Sequence, residues 1–333
     1  WSNFERAMIG HSLLADHDHH RLIRRVTAPA FSRNVVDAIQ AKIEPEVKKL
    51  FDELGQPEVF DYKAEIAEHI PFISITRMVG IPEKYWPDIK KVIMTFTAAW
   101  NPTISDEERE SARQDSNRAI DIIRDVIAER RTMPDEKDDF LSTLLRIEAE
   151  NEAFEEWDIV TLILALIGAG SDTTLVAQQW SVYSLLKNDR DQIAKALAYP
   201  EAFANAFSEI NRWGVSSKMG FARYAPRDME FMGEKLRKGV MVLMMPHLKD
   251  HDPEYYDHPE KFDVERVFDP DVMFGYGPRY CIGASLAKRQ LYLTLSELFN
   301  RFPDIELAEE PERDETDHNA IVFKRLLLKT NVG

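Results

Sequence analysis

The chain holds one cysteine in 333 residues, and its neighbours are suited to binding something flat and electron-poor. Cys281 lies in Phe-Gly-Tyr-Gly-Pro-Arg-Tyr-Cys-Ile-Gly, residues 274–283, just before a helical pattern that begins at Ala284. A thiolate there faces backbone N–H groups and the positive end of a helix dipole. Gly275, Gly277 and Gly283 let a planar group approach the backbone closely. Arg279 offers a planar fork of donors to a carboxylate. Taken alone, the cysteine also reads as a small buried hydrophobe.

Three further groupings carry possible chemistry. Ala169-Gly170-Ser171-Asp172-Thr173-Thr174 sits inside a long apolar helical pattern. Glycine in a helix interior costs roughly 1 kcal/mol relative to alanine, so Gly168 and Gly170 predict close approach of another group. Thr173 can bond back to a carbonyl one turn earlier, distorting the helix and opening a groove. An acid beside a hydroxyl suits proton transfer, and a kink with a capping-type Asp is the plainer reading. Glu209 and Arg212 stand three apart on a helix, a spacing common to surface pairs, and Arg266 follows in Phe-Asp-Val-Glu-Arg. The run Asp16-His17-Asp18-His19-His20-Arg21 invites a metal reading, while a solvated helix start accounts for it as well. His20 and Arg24 lie one turn apart on one helical face.

Together these residues resemble the cytochrome P-450 family. Phe274, Gly277, Arg279, Cys281 and Gly283 fill every fixed place of its haem-ligand loop, F-x-x-G-x-R-x-C-x-G. Residues 169–174 match its oxygen-activation motif, A-G-x-D-T-T, without departure. Glu209 and Arg212 match E-x-x-R, with Arg266 as the meander arginine, which implies a buried structural charge network, and His20 with Arg24 match the C-helix pattern H-x-x-x-R. The resemblance implies haem b (iron protoporphyrin IX) with Cys281 as metal ligand and Asp172 and Thr173 as catalytic proton-delivery residues. It implies cofactor contacts from Phe274, Gly277, Gly283, Ala169 and Gly170. Arg279, Arg223, His20 and Arg24 would neutralise the propionates, which are costly when partly buried without partners. The implied activity is monooxygenation of an apolar small organic substrate of terpenoid, aromatic or lipid-like class. Electrons would come from NAD(P)H through a reductase and a ferredoxin-type donor docked at Arg21, Arg25, Lys288 and Arg289. A peroxide-driven or redox-neutral enzyme of the same fold, and a non-enzymatic haem-binding or gas-sensing protein, are the competing readings.

The supporting elements follow from periodicity. Apolar residues recur at helical spacing over Val35–Leu54, Tyr62–Met78 and Asp106–Arg131, and again from Phe140 and Glu155. Short antiparallel strands are expected at 220–225, 229–231 and 239–243. Trp213-Gly214 and no proline stand where the family often has prolines. Val215–Gly220, with Lys218, is expected to face substrate, as is the tip at Ile321–Phe323. The fold class expected is mainly α with small β-sheets, a single haem-thiolate monooxygenase domain over 1–333. The family's N-terminal strands and first helices have no visible counterpart ahead of Trp1.

A composition of 44% hydrophobic and 30% charged residues suits a globular chain with a sizeable core. A net charge of −16 argues against unspecific nucleic-acid binding. One cysteine excludes an internal disulfide and a cysteine-rich zinc site. The apolar run around Leu162–Ile167 is too short to span a bilayer, so no membrane anchor is expected. A monomer in a reducing cytoplasm fits these features.

Overall fold

The structure, a computed structural model, describes residues 17–91, 105–133, 139–214, 221–268, 271–315 and 320–330. Its contacts gather into two compact units. The first holds residues 1–175, 274–306 and 327–333; the second holds 176–273 and 307–326.

In the first unit, α1 (His17–Thr27), α2 (Arg33–Leu54) and α10 (Ala284–Arg301) surround the thiol loop. Helix α2 buries Val36, Ile39, Ile43, Val47 and Phe51, a stripe at three- and four-residue spacing. It packs on α10, whose buried side includes Leu291, Leu295 and Leu298. The expected helix over Tyr62–Met78 is divided. Strand β1 (Val59–Asp61) leads into a π-turn at Lys63–Ala67, and α3 begins only at Ile70 (Ile70–Val79). Pro71 sits at its start, where the missing N–H is harmless. Gly80 closes α3 at φ 92°, and an added Cβ there would come within 2.4 Å of the Asp139 carboxylate.

That carboxylate belongs to a buried node. Arg130, in α4 (Asp106–Thr132), donates to Asp139 at 2.5 and 2.7 Å and to the Gly80 carbonyl at 2.9 Å. Asp139 also caps α5 (Phe140–Glu150) by accepting from Ser142 N–H at 3.0 Å. Strand β9 (Leu327–Lys329) pairs antiparallel with β1 and stands between it and β6 (Glu306–Leu307).

Helix α6 (Glu156–Lys187) runs from the first unit into the second. Its most apolar window has mean hydropathy 1.9, long and apolar enough to cross a membrane, but 67% of that window is buried within the chain. The apolar surface is satisfied internally.

The second unit contains α7 (Asp191–Ala196), α8 (Pro200–Gly214) and α9 (Pro246–Asp250) with three strand pairs. Strand β2 (Phe221–Tyr224) pairs antiparallel with β5 (Met241–Met244). Strand β3 (Met229–Phe231) pairs with β4 (Glu234–Leu236), and β7 (Arg313–Asp314) with β8 (Val322–Phe323). Sequence reading missed β4. Its hairpin turns on Met232 and Gly233, both at positive φ, and methionine carries none of the usual Asn-Gly signature. Gly214 ends α8 against Trp180, where an added Cβ would meet the indole at 2.7 Å. The expectations for Val215–Gly220 and Lys218 lie outside the described residues.

The Glu209–Arg212 pair is buried, as the resemblance implies, although its spacing alone reads as a surface pair. Glu209 is 0% and Arg212 2% exposed. Arg212 donates to both Glu209 oxygens at 2.6 and 2.8 Å, and to the carbonyls of Asp250, Pro259 and Lys261. Asp263 N–H donates to Glu209 at 2.8 Å, and the Arg266 guanidinium approaches it at 3.2 Å. The network therefore staples the irregular stretch 250–266 to α8. Deleting one partner leaves buried charge uncompensated, at about 3–5 kcal/mol. Glu209→Ala is expected to lower folding stability by that amount in urea unfolding, and an unchanged midpoint would remove the network from the scaffold.

Candidate functional site

Two backbone bonds shape the thiol loop. Cys281 N–H donates to the Phe274 carbonyl at 2.9 Å, and Tyr280 N–H to Gly277 at 3.0 Å. Gly275 and Gly277 take φ 82° and 71°, the left-handed region where a side chain is strained. The path doubles back on itself and delivers Cys281 two residues ahead of Gly283, which starts α10. The side chain is exposed, lining a cavity of about 440 Å³ with Arg24, Ala28, Phe31, Tyr280, Ser285 and Lys288 among its walls.

Partial desolvation against the cavity wall pushes the Cys281 thiol up. The Gly283 N–H, the Arg24 guanidinium and the Ala284 N–H, in that order, pull it back down. The chain alone thus favours the thiol, yet it has assembled three groups that stabilise a thiolate. A bound metal cation would displace the proton and use all three.

Arg24 does more than the sequence implied. Its guanidinium donates to the Tyr280 carbonyl, directly before Cys281, so α1 is tied to the thiol loop. Burial lowers its proton affinity, and the charge on Cys281 opposes that effect. His20, four residues earlier, is 5% exposed. Arg279 is exposed in the short turn Gly277–Arg279, and the Phe274 ring lies tilted at 6.3 Å from Tyr280 with the Lys288 ammonium 5.2 Å above it. Arg223 is exposed on β2, in the second unit.

On α6, residues 161–180 are buried or half-buried except Ala169 and Thr173. These two lie one turn apart and open a narrow window in a core helix. Thr173 Oγ1 donates to the Ala169 carbonyl at 2.7 Å, the predicted back-bond, and the helix remains continuous through it. Asp172 is half-buried beside the window. Gly170 faces Ile75 of α3, where a Cβ would come within 3.1 Å of Cγ1, so helix packing accounts for that glycine. Ser171 is buried with an unpartnered hydroxyl.

Among the described residues no group of three His, Cys, Asp or Glu is placed to hold a metal ion, and Asp16 of the histidine-rich run lies outside them. His19, unassigned from sequence, approaches Asp158 of α6 at 3.3 Å. In the basic patch, Arg21 pairs with Asp18 at 2.5 Å, and Arg289 with Asp37 at 3.1 Å and Gln40 at 3.3 Å. Arg25 is exposed.

These donors suit haem. One thiolate cannot chelate a bare ion, so the metal must bring its other ligands with it, as iron in a porphyrin does. The exposed thiol, the small-residue loop and the three thiolate-stabilising groups match that requirement.

Comparison with known proteins agrees. The profile of the family described as cytochrome P-450 matches residues 3–196 and 203–332. The epothilone C/D epoxidase of Sorangium cellulosum is 30% identical over 302 residues, covering 90% of this chain and 71% of the relative. The polyketide biosynthesis cytochrome P-450 PksS of Bacillus subtilis (strain 168) is 28% identical, covering 91% and 73%. The solved structure of epothilone B-bound cytochrome P-450epoK matches with TM-score 0.89 at 25% identity, over 98% of this chain and 82% of that one. The chain belongs to the cytochrome P-450 family, oxidoreductases that bind haem b.

Proposed function

We propose that this chain is a monooxygenase acting on an apolar small organic substrate, with Cys281 as the iron ligand and electrons delivered by a ferredoxin-type partner and its NAD(P)H-dependent reductase. The observation that carries the reading is the lone thiol, exposed into a cavity and met by the Gly283 and Ala284 N–H groups and Arg24. When bound, haem supplies O2 activation and transfer of one oxygen atom to a C–H or C=C bond. Both units serve that one reaction as a single cytoplasmic domain.

The chain's residues then divide the work. The pinned loop presents Cys281, and Phe274, Gly277 and Gly283 keep its surroundings small and apolar. His20, Arg24, Arg279 and Arg223 meet the propionate charge. Arg24 additionally holds the Tyr280 carbonyl, which restrains the backbone beside the sulfur. Ala169 and Thr173 form the opening in α6, and Asp172 passes protons from solvent to the Thr173 hydroxyl. That hydroxyl donates to Ala169 at rest, so its oxygen remains able to accept a proton. The substrate class remains terpenoid, aromatic or lipid-like, and the name of the Bacillus subtilis relative favours a polyketide within it.

An acidic ferredoxin docks on the local positive charge of Arg21, Arg25, Lys288 and Arg289, of which Arg21 also pairs with Asp18 and Arg289 with Asp37.

Two measurements follow. With the reductase and ferredoxin supplied, substrate product should form at the expense of NAD(P)H and O2. Asp172→Asn should slow product formation roughly 100-fold or more, the range for a positioned proton donor, while haem content holds. Unchanged turnover would remove Asp172 from proton delivery. Charge reversal at Arg25 and Lys288 should slow ferredoxin-dependent reduction and flatten its dependence on salt. Rates and salt response equal to wild type would place the partner elsewhere.

A further inference from the structure

Among the described residues, more than half of the large apolar side chains left exposed lie between Tyr224 and Leu248, in the second unit. The β3–β4 hairpin projects from this stretch. Gly239 N–H donates to the Ala225 carbonyl at 2.8 Å and Ala225 N–H to the Val240 carbonyl at 3.0 Å, closing the β2–β5 ladder at the root of the hairpin. Two three-residue strands then carry the turn about 10 Å beyond Asp228 and Arg237.

The turn is built against local preference. Met232 and Gly233 take φ 53° and 83°, where Asn-Gly or Gly-Gly is the usual pair. Met232 nevertheless stands there, and it is 89% exposed. Phe231 beside it is 48% exposed. Met229 and Phe231 share one face of β3, and Leu236 is the partner of Met229 across the hairpin. Neither the turn nor solubility calls for an apolar tip, so contact with something outside the chain accounts for it.

Charge is sorted by height. Glu230 stands opposite Lys235 in the ladder, so the shaft is balanced. At the root, Arg227, Arg237 and Lys238 are exposed beside Asp228, whose carboxylate accepts from Lys238 N–H at 2.8 Å. None of these three cations is ion-paired among the described residues. The root is therefore locally positive on a chain of net charge −16, and Glu234, opposite Phe231, is the acid left near the tip. An apolar tip with a cationic collar about 10 Å behind it fits an anionic lipid surface. Interfacial segments sink their apolar part ~5–10 Å, the depth at which such a collar reaches the phosphates.

We propose that the β3–β4 hairpin docks the protein reversibly on an anionic membrane surface. Phe231 and Met232 enter the boundary between headgroups and acyl chains, and Arg227, Arg237 and Lys238 meet lipid phosphates. A small apolar insertion and a few cations together give binding that is reversible and sensitive to salt. No segment has to cross the bilayer. The apolar substrate class proposed above concentrates in the same layer.

The test spins haem-loaded protein with sucrose-filled vesicles of phosphatidylcholine, alone or mixed equally with phosphatidylglycerol, and reads the protein in the pellet. Wild type is expected to pellet with the anionic vesicles and to leave them as salt is raised. Met232→Asn, which suits the positive φ and keeps the turn, should weaken binding about tenfold or more. Arg237→Gln and Lys238→Gln should each weaken it about fivefold, and Glu234→Gln should tighten it. Val267→Ser, at an exposed apolar position outside the hairpin, should bind as wild type does. Wild type that stays in the supernatant overturns the proposal, and so does a Met232→Asn protein that pellets equally well. Equal loss in Val267→Ser overturns it by showing that the hairpin has no special part. A dimer that Met232→Asn dissolves, without vesicle binding, assigns the tip to a second copy and overturns the lipid reading. All of these outcomes leave the haem reading untouched, since none depends on the Cys281 site.

Discussion

One backbone hydrogen bond, from Cys281 N–H to the Phe274 carbonyl at 2.9 Å, fixes where the only thiol of the chain is presented. It closes a loop that two glycines bend through left-handed conformations, and it leaves the side chain exposed while the backbone is fully engaged. Everything around the sulfur is arranged for a charge that the isolated chain does not favour. Partial desolvation pushes the thiol up, and two helix-start N–H groups and Arg24 oppose it by favouring the thiolate. The site is preorganised for a metal that arrives with its own macrocycle.

Helix α6 solves a second problem with the same economy. A 32-residue helix this apolar belongs in a core, and most of it is buried. Only Ala169 and Thr173 break the seal between residues 161 and 180. A small side chain beside a hydroxyl that satisfies itself on the helix makes an opening without an unpaired polar group.

Much of this was legible in the residues, and the exceptions have physical causes. Periodicity located α2, α4, α5, α6 and α10, because each buries a continuous stripe. It overran at Tyr62–Met78, where a π-turn at Lys63–Ala67 follows strand β1 and Pro71 restarts the helix. Strand β4 escaped because a methionine occupies the positive-φ turn. The Thr173 back-bond and the tight glycine loop before α10 could be read because each depends on residue types in sequence order. Arg24 on Tyr280, His19 on Asp158 and Tyr183 on Glu310 join residues 256, 139 and 127 positions apart. No local pattern announces such pairs. Gly170 shows the reverse case, a motif glycine whose vacancy Ile75 occupies.

The central claim concerns one sulfur and one iron, and X-ray absorption at the iron edge reads that bond directly. The account predicts one sulfur scatterer in the iron's first shell of the haem-loaded protein and its loss in Cys281→Ser. A sulfur shell that persists in the serine variant, or is missing from the wild type, would contradict it.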